Sequence, residues 1–316
     1  MPRTDDSPRP SSPSSEGPGE TTAPTLRPGD LALLYRADGE GSTPASSDAV
    51  EQPPVSAEAV RGVGFQGWRW RVDPATDTPG SVPGPLTPEL AEAGYRLAVV
   101  PSAAADAGRR ILVMDVDSTL IRQEVIELLA AHAGREAEVA AVTEAAMHGE
   151  LDFAQSLHHR VEALAGLEAS VVDQVVAAVE PQPGARELIG AFREAGWAVC
   201  AVSGGFTQVL GPLAAELGLD RYRANELEIV DGRLTGRVVG QVVDRAVKAE
   251  SLREWAQEFG VAAEGTIAAG DGANDIDMLQ AAGLAVAFCA KPALREHAHV
   301  ELDVPSLDVI RVLAGL

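Results

Sequence analysis

Aromatic side chains are scarce in this chain: Phe, Trp and Tyr together make up 4% of its 316 residues. Its core must therefore be aliphatic, and the abundance of Ala, Gly and Val suits a parallel sheet covered by helices. The hydrophobic fraction of 46% and the charged fraction of 23% are those of an ordinary globular protein. Cysteine is nearly absent, with only Cys200 and Cys289. That excludes a disulfide scaffold and agrees with a reducing compartment. Cys200 lies in the apolar run 197–202 and Cys289 closes the run 284–289, so both are expected to be small core hydrophobes. Cations are also in short supply, with 25 Lys and Arg against 47 Asp and Glu and a formal charge of -22. Such a surface repels nucleic acid and anionic membranes, which removes both as partners. A small anionic substrate remains open, provided that a metal and a few local cations reverse the sign inside a site. No apolar run reaches the length of a membrane span, and no basic-then-apolar leader opens the chain, so a cytoplasmic location is expected.

Residues 1–27 are dominated by Pro, Ser, Thr, Gly and acids. A segment of this composition cannot bury enough surface to offset its conformational entropy, and it reads as a disordered tail. Residues 28–106 alternate short apolar runs with turn-rich stretches, which predicts a small α+β module of unknown role. Its strands are expected at 31–35, 68–72 and 95–100, and a helix should start at Thr87 as N-cap with Pro88 in the first turn. Residues 103–108 read as a linker. From 107 to 316 strand and helix patterns alternate, with buried strands at 111–114, 198–202, 266–269 and 284–288 and helices over 186–195 and 246–259. Alternation of this kind implies right-handed crossovers and a parallel, Rossmann-like sheet. A mostly helical insertion, about 124–180, follows the first of these strands and is placed to cap the sheet's carboxyl end. Asp231-Gly232 between two apolar-polar runs predicts a hairpin.

Ligands of open parallel sheets bind beyond the carboxyl ends of the strands. Three polar clusters fall there: Asp115-Val116-Asp117-Ser118-Thr119, Ser203-Gly204-Gly205, and Gly270-Asp271-Gly272-Ala273-Asn274-Asp275. Lys248 precedes the last on a helical stretch. Singly, each has an ordinary structural explanation, such as a helix cap, a tight turn or a solvated charge. In chain order they bring carboxylates, a Ser-Gly turn and a lysine to one crevice. His132, His148, His158 and His159 form no convincing zinc set.

This order resembles the haloacid dehalogenase (HAD) superfamily of phosphohydrolases. Glu124, Met147, Phe153, Ser156, Arg160, Asn225, the segment 231–236 and Ala287-Phe288-Cys289-Ala290-Lys291-Pro292 narrow the resemblance to its phosphoserine phosphatase branch, over about residues 110–316. The resemblance implies an α/β HAD core with a helical cap, and hydrolysis of phosphoserine as the last step of serine biosynthesis. Asp115 would be the nucleophile and Asp117 the general acid/base. Mg2+ would be held by Asp115, the Asp117 carbonyl and Asp271, with Asp275 behind them. Ser203, Gly204, Lys248 and Asn274 would bind phosphate. Glu124 and Arg160 would bind the ammonium and carboxylate of the substrate, and Met147 and Phe153 would exclude solvent. Phosphohomoserine or another amino-alcohol phosphate remains an alternative substrate. An inactive ligand-sensing relative and a homodimeric assembly also stay open.

Overall fold

The computed structural model describes residues 26–38, 56–73, 86–147 and 153–316. Residues 1–25 of the expected tail 1–27 lie outside them, as do His148 and the side chains of Met147 and Phe153. The N-terminal part contains β1 (Leu31–Ala37), β2 (Glu58–Gly62), β3 (Phe65–Arg71), α1 (Pro88–Glu92), β4 (Arg96–Val100) and α2 (Ser102–Ala105). Its strands form an antiparallel sheet in the order β2-β3-β1-β4. Thr87 caps α1, its hydroxyl accepting the Leu90 N–H, with Pro88 in the first turn as expected. The expected linker 103–108 is in part helical. In α2, Ala104 and Ala105 are buried, and their carbonyls accept the two terminal nitrogens of buried Arg110. An arginine six residues on therefore closes a helix too short to hold itself.

The second part runs β5 (Ile111–Met114), the cap helices α3 (Val125–Ala133), α4 (Glu136–Met147), α5 (Phe153–Glu162) and α6 (Ser170–Ala178), then α7 (Ala185–Glu194) and β6 (Ala198–Phe206). It continues with α8 (Thr207–Leu217), β7 (Arg221–Val230), β8 (Arg233–Val239), α9 (Arg245–Glu258), β9 (Thr266–Gly270), α10 (Ile276–Ala281), β10 (Leu284–Phe288), α11 (Pro292–Arg295), β11 (Val300–Leu302) and α12 (Asp308–Leu313). Seven strands form one sheet in the order β11-β10-β9-β5-β6-β7-β8, parallel throughout except for β8 against β7. The β7–β8 turn has positive φ at both Asp231 (50°) and Gly232 (73°), the mirror-image turn expected of Asp-Gly.

β5 is buried on both faces, which is why its sequence is continuously apolar. Leu112 and Met114 enter the larger apolar cluster, while Ile111 and Val113 enter the cluster that includes α9 and α10. Strand alternation likewise splits β1. Leu31, Leu33 and Tyr35 join the main core, and Ala32 and Leu34 face a small cluster with Leu90 of α1. Two linkers carry the cap and run side by side: Ile121 bridges Pro181, and the Arg122 N–H donates to the Glu180 carbonyl at 2.9 Å. Among the described residues no helix is long and apolar enough to cross a membrane.

Candidate active site

The carboxyl ends of β5, β6 and β9 meet the cap at a cavity of about 1090 Å3. Asp115 is fixed by continuation of the parallel ladder, its N–H donating to the Ala269 carbonyl at 2.9 Å. The chain then turns through Ser118, whose φ of 58° lies in the left-handed region, and this brings Asp117 back toward the sheet's end. Both Asp117 oxygens accept hydrogen bonds: Oδ1 from the Val125 N–H at 2.7 Å and Oδ2 from Ser203 Oγ at 2.9 Å. The first of these ties Asp117 to the opening turn of cap helix α3. Ser203 Oγ in turn accepts the Gly205 N–H at 2.7 Å.

Lys248 is wholly buried, and its ammonium reaches Asp115 Oδ1 at 2.5 Å and Asp275 Oδ1 at 2.7 Å. Asp271 completes the group: oxygens of Asp115, Asp271 and Asp275 lie within 4.8 Å of one another. Burial, and then the charge of Asp275, push Asp115 well above the usual carboxylate range against the pull of Lys248. Burial also raises Asp117 and Asp271. Burial alone would lower Lys248, but the charges of Asp115 and Asp275 outweigh it and hold the ammonium protonated. Three converging carboxylates with one buried ammonium between two of them are short of positive charge. Hard oxygen donors in that number fit a divalent cation.

On the cap side, Glu124 accepts a hydrogen bond from Ser118 Oγ at 2.8 Å, and burial followed by the charge of Asp117 raises it to about 7. Arg160 projects from α5 into the same cavity, with its Nε donating to the Ser156 carbonyl at 3.3 Å. Asp115, Asp117, Glu124, Arg160, Gly204, Asp271 and Asn274 all line the cavity, while Ser203, Lys248 and Asp275 are buried behind Asp117 and Asp115, to which Ser203 and Lys248 are bonded. His132, His158 and His159 are exposed and apart from the carboxylate group, the one such group of potential ligands among the described residues.

The sequence reading named two residues here without giving them a role. Ser118 joins the motif loop to Glu124, and Lys291 pairs with Asp271 at 3.2 Å. Cys289 also needs correction. Cys200 is buried as expected, but Cys289 is exposed and lines the cavity. The apolar run ends at Phe288, and a φ of 44° at Cys289 turns the chain out of the core.

A haloacid dehalogenase-like hydrolase profile matches residues 112–280. The chain belongs to the haloacid dehalogenase-like hydrolases. It is 59% identical over 231 residues to phosphoserine phosphatase of Streptomyces coelicolor, covering 73% of this chain and 56% of that protein. It therefore spans little more than half the length of that relative. Phosphoserine phosphatase SerB2 of Mycobacterium tuberculosis is 48% identical over 90% of this chain and 71% of its own length. A solved structure described as a phospho-aspartyl intermediate analogue of phosphoserine phosphatase superposes with a TM-score of 0.61 at 41% identity, covering 65% of this chain and 98% of that one. Membership of the haloacid dehalogenase-like hydrolases agrees with the carboxylate group at the end of β5 and with the cap inserted after it.

Proposed function

We propose that residues 107–316, with a cap over about 124–180, hydrolyse O-phospho-L-serine to L-serine and phosphate in the cytoplasm through an aspartyl-phosphate on Asp115. The observation that carries this reading is that Glu124 and Arg160 face the same cavity as Asp115 and Asp117. An anion and a cation on the cap match the ammonium and carboxylate of an amino acid, and the sheet side supplies the phosphoryl chemistry. Arg160 can grip a carboxylate with two parallel hydrogen bonds. The names of the relatives point the same way.

Asp115 Oδ attacks phosphorus in line as the serine oxygen leaves, and Asp117 protonates that oxygen. Asp117 then takes the proton of the water that attacks the phosphoaspartate, which frees phosphate and restores Asp115. Burial, by raising Asp117, helps it hold the proton that the leaving group needs. Ser203 can follow the change. Its hydroxyl donates to ionised Asp117 in the resting geometry and can accept from the protonated form. Gly204 and Asn274 face the cavity where the non-bridging oxygens would lie, and Lys248 stands behind them against Asp115. Asp115, Asp271 and the Asp117 carbonyl would hold magnesium, backed by Asp275. A bound divalent cation supplies charge neutralisation between a carboxylate nucleophile and a dianionic ester.

Steady-state rates on phosphoserine, phosphothreonine, phosphohomoserine and phosphoglycolate, with and without magnesium, test the reading. Phosphoserine should give the highest kcat/KM, and only with the metal. A preference for phosphoglycolate, which has no ammonium group, would remove phosphoserine as the substrate.

A further inference from the structure

The loop after β10 brings a cation to the site that none of the three polar clusters contains. β10 ends at Phe288, and the left-handed turn at Cys289 is held by its N–H donating to the Leu302 carbonyl at 2.7 Å. Ala290 is buried, and Lys291 then reaches Asp271 by two routes. Its backbone N–H donates to the Asp271 carbonyl at 2.8 Å, and its Nζ stands 3.2 Å from Asp271 Oδ2. The loop is braced from behind. Arg295 Nε donates to the Ala290 carbonyl at 2.8 Å, and its guanidinium pairs with Glu301 at 2.8 Å and Asp303 at 2.7 Å. Lys291 is thus placed by backbone geometry rather than by the reach of a loose stem.

Each of the three convergent carboxylates faces a lysine. Asp115 and Asp275 share Lys248, which is wholly buried and has nowhere else to go. Asp271 is the one of the three without a bond to Lys248, and its partner Lys291 is 58% exposed. The two lysines therefore differ in what they can do when a divalent cation arrives. Lys248 stays, and Lys291 can swing into solvent. We propose that Lys291 is a positioning residue that competes with the divalent metal for Asp271 and so sets how tightly the metal is held. This rests on the reading of Asp271 as a metal ligand. Asp271 gains a counter-charge before the metal binds, at the cost of repulsion between ammonium and metal afterwards. In a half-solvated site that repulsion is screened, and it amounts to a factor of roughly three to ten in affinity.

The test is calorimetric titration of magnesium into the substrate-free full chain, compared for the unaltered protein, Lys291→Met, Lys291→Arg and Asp271→Asn. Lys291→Met should bind magnesium about three- to tenfold more tightly, and the gain should shrink as salt is raised. Lys291→Arg, which keeps the charge, should stay near the unaltered affinity. Unchanged or weaker binding by Lys291→Met would overturn the proposal. Asp271→Asn separates this from failure of the underlying reading. If that variant binds magnesium as tightly as the unaltered protein, Asp271 is not a ligand and the wider metal assignment falls instead. Binding heat is read without turnover, so loss of activity for another reason cannot imitate the result.

Discussion

Asp115 and Asp275 are two buried carboxylates brought together by a strand end and a helix start, and Lys248 holds them. Removing one partner of such a group leaves uncompensated charge in a low-dielectric place. Lys248→Ala is therefore expected to cost about 3–5 kcal/mol at pH 8. The cost should shrink as pH falls from 8 to 5, because burial and the charge of Asp275 favour the neutral form of Asp115. Urea unfolding of the variant at the two pH values checks this; an equal cost at both would mean that charge is not what Lys248 supplies. Asp115→Asn should leave the fold in place, by circular dichroism, and abolish turnover. Surviving turnover would displace Asp115 as nucleophile. Glu124 gives a pH prediction. Burial and the Asp117 charge raise it from an ordinary 4.5 to about 7, so below pH 7 it is neutral and cannot pair with an ammonium group. KM for phosphoserine should rise as pH falls from 8 to 6, whereas Glu124→Gln should show a high KM that varies little over that range. The stability sign is the reverse. With the folded pKa above the unfolded one, the residue's contribution to stability is present at acid pH and is lost as pH rises between about 4.5 and 7.

The cap depends on how α5 sits against β8. Gly236 of β8 has a φ of 84°, and a Cβ there would stand 2.9 Å from the Ala165 Cβ and 3.3 Å from the Glu162 Cα. Gly236→Ala therefore meets both backbone strain and the end of the helix that carries Arg160. It should destabilise the protein by about 1–3 kcal/mol and raise KM for phosphoserine proportionally more than it lowers kcat. Thermal melts and steady-state kinetics read the two effects; an unchanged KM would mean that α5 tolerates the shift. The core elements were legible in the sequence for a physical reason. β5, β9 and β10 are buried on both faces, so their apolar runs are unbroken and the polar clusters that follow them stand out. Elements without that signature were not legible. β2 is largely exposed, β11 has three residues, and α2 is held by Arg110 rather than by its own Ala-rich segment. Cys289 and Lys291 were hidden for a different reason. A left-handed turn at a cysteine and a contact twenty residues back to Asp271 depend on tertiary placement, which no local pattern records.

For the whole molecule, the question is what the N-terminal sheet does for the hydrolase part. None of its described residues lines the cavity between β5 and the cap. Its attachment, however, is not that of a tethered module. Leu31, Leu33, Tyr35 and Phe65 are buried within the main apolar cluster. The Val63 N–H donates to buried Asp308 Oδ2 at 3.0 Å, Arg69 reaches the Val312 and Leu316 carbonyls at 3.3 Å, and Tyr35 donates to the Glu301 carbonyl at 3.2 Å. Asp308 is hemmed in from the other side, since a Cβ on Gly184 would come within 2.6 Å of its nitrogen. The sheet thus covers α12 and the β11 edge, and a shortened chain beginning at Gly108 would expose that face. Each large side chain withdrawn from the core removes about 1.5–3 kcal/mol of burial. A domain of this size loses about 2–4 °C of Tm per kcal/mol. Deleting the sheet should therefore lower Tm by at least ~10 °C and increase binding of a hydrophobic dye, while molecules still folded at low temperature keep their turnover. An unchanged Tm would mean that α12 and β11 are stable without their cover. Loss of turnover in molecules that remain folded would mean that the sheet also shapes the distant site.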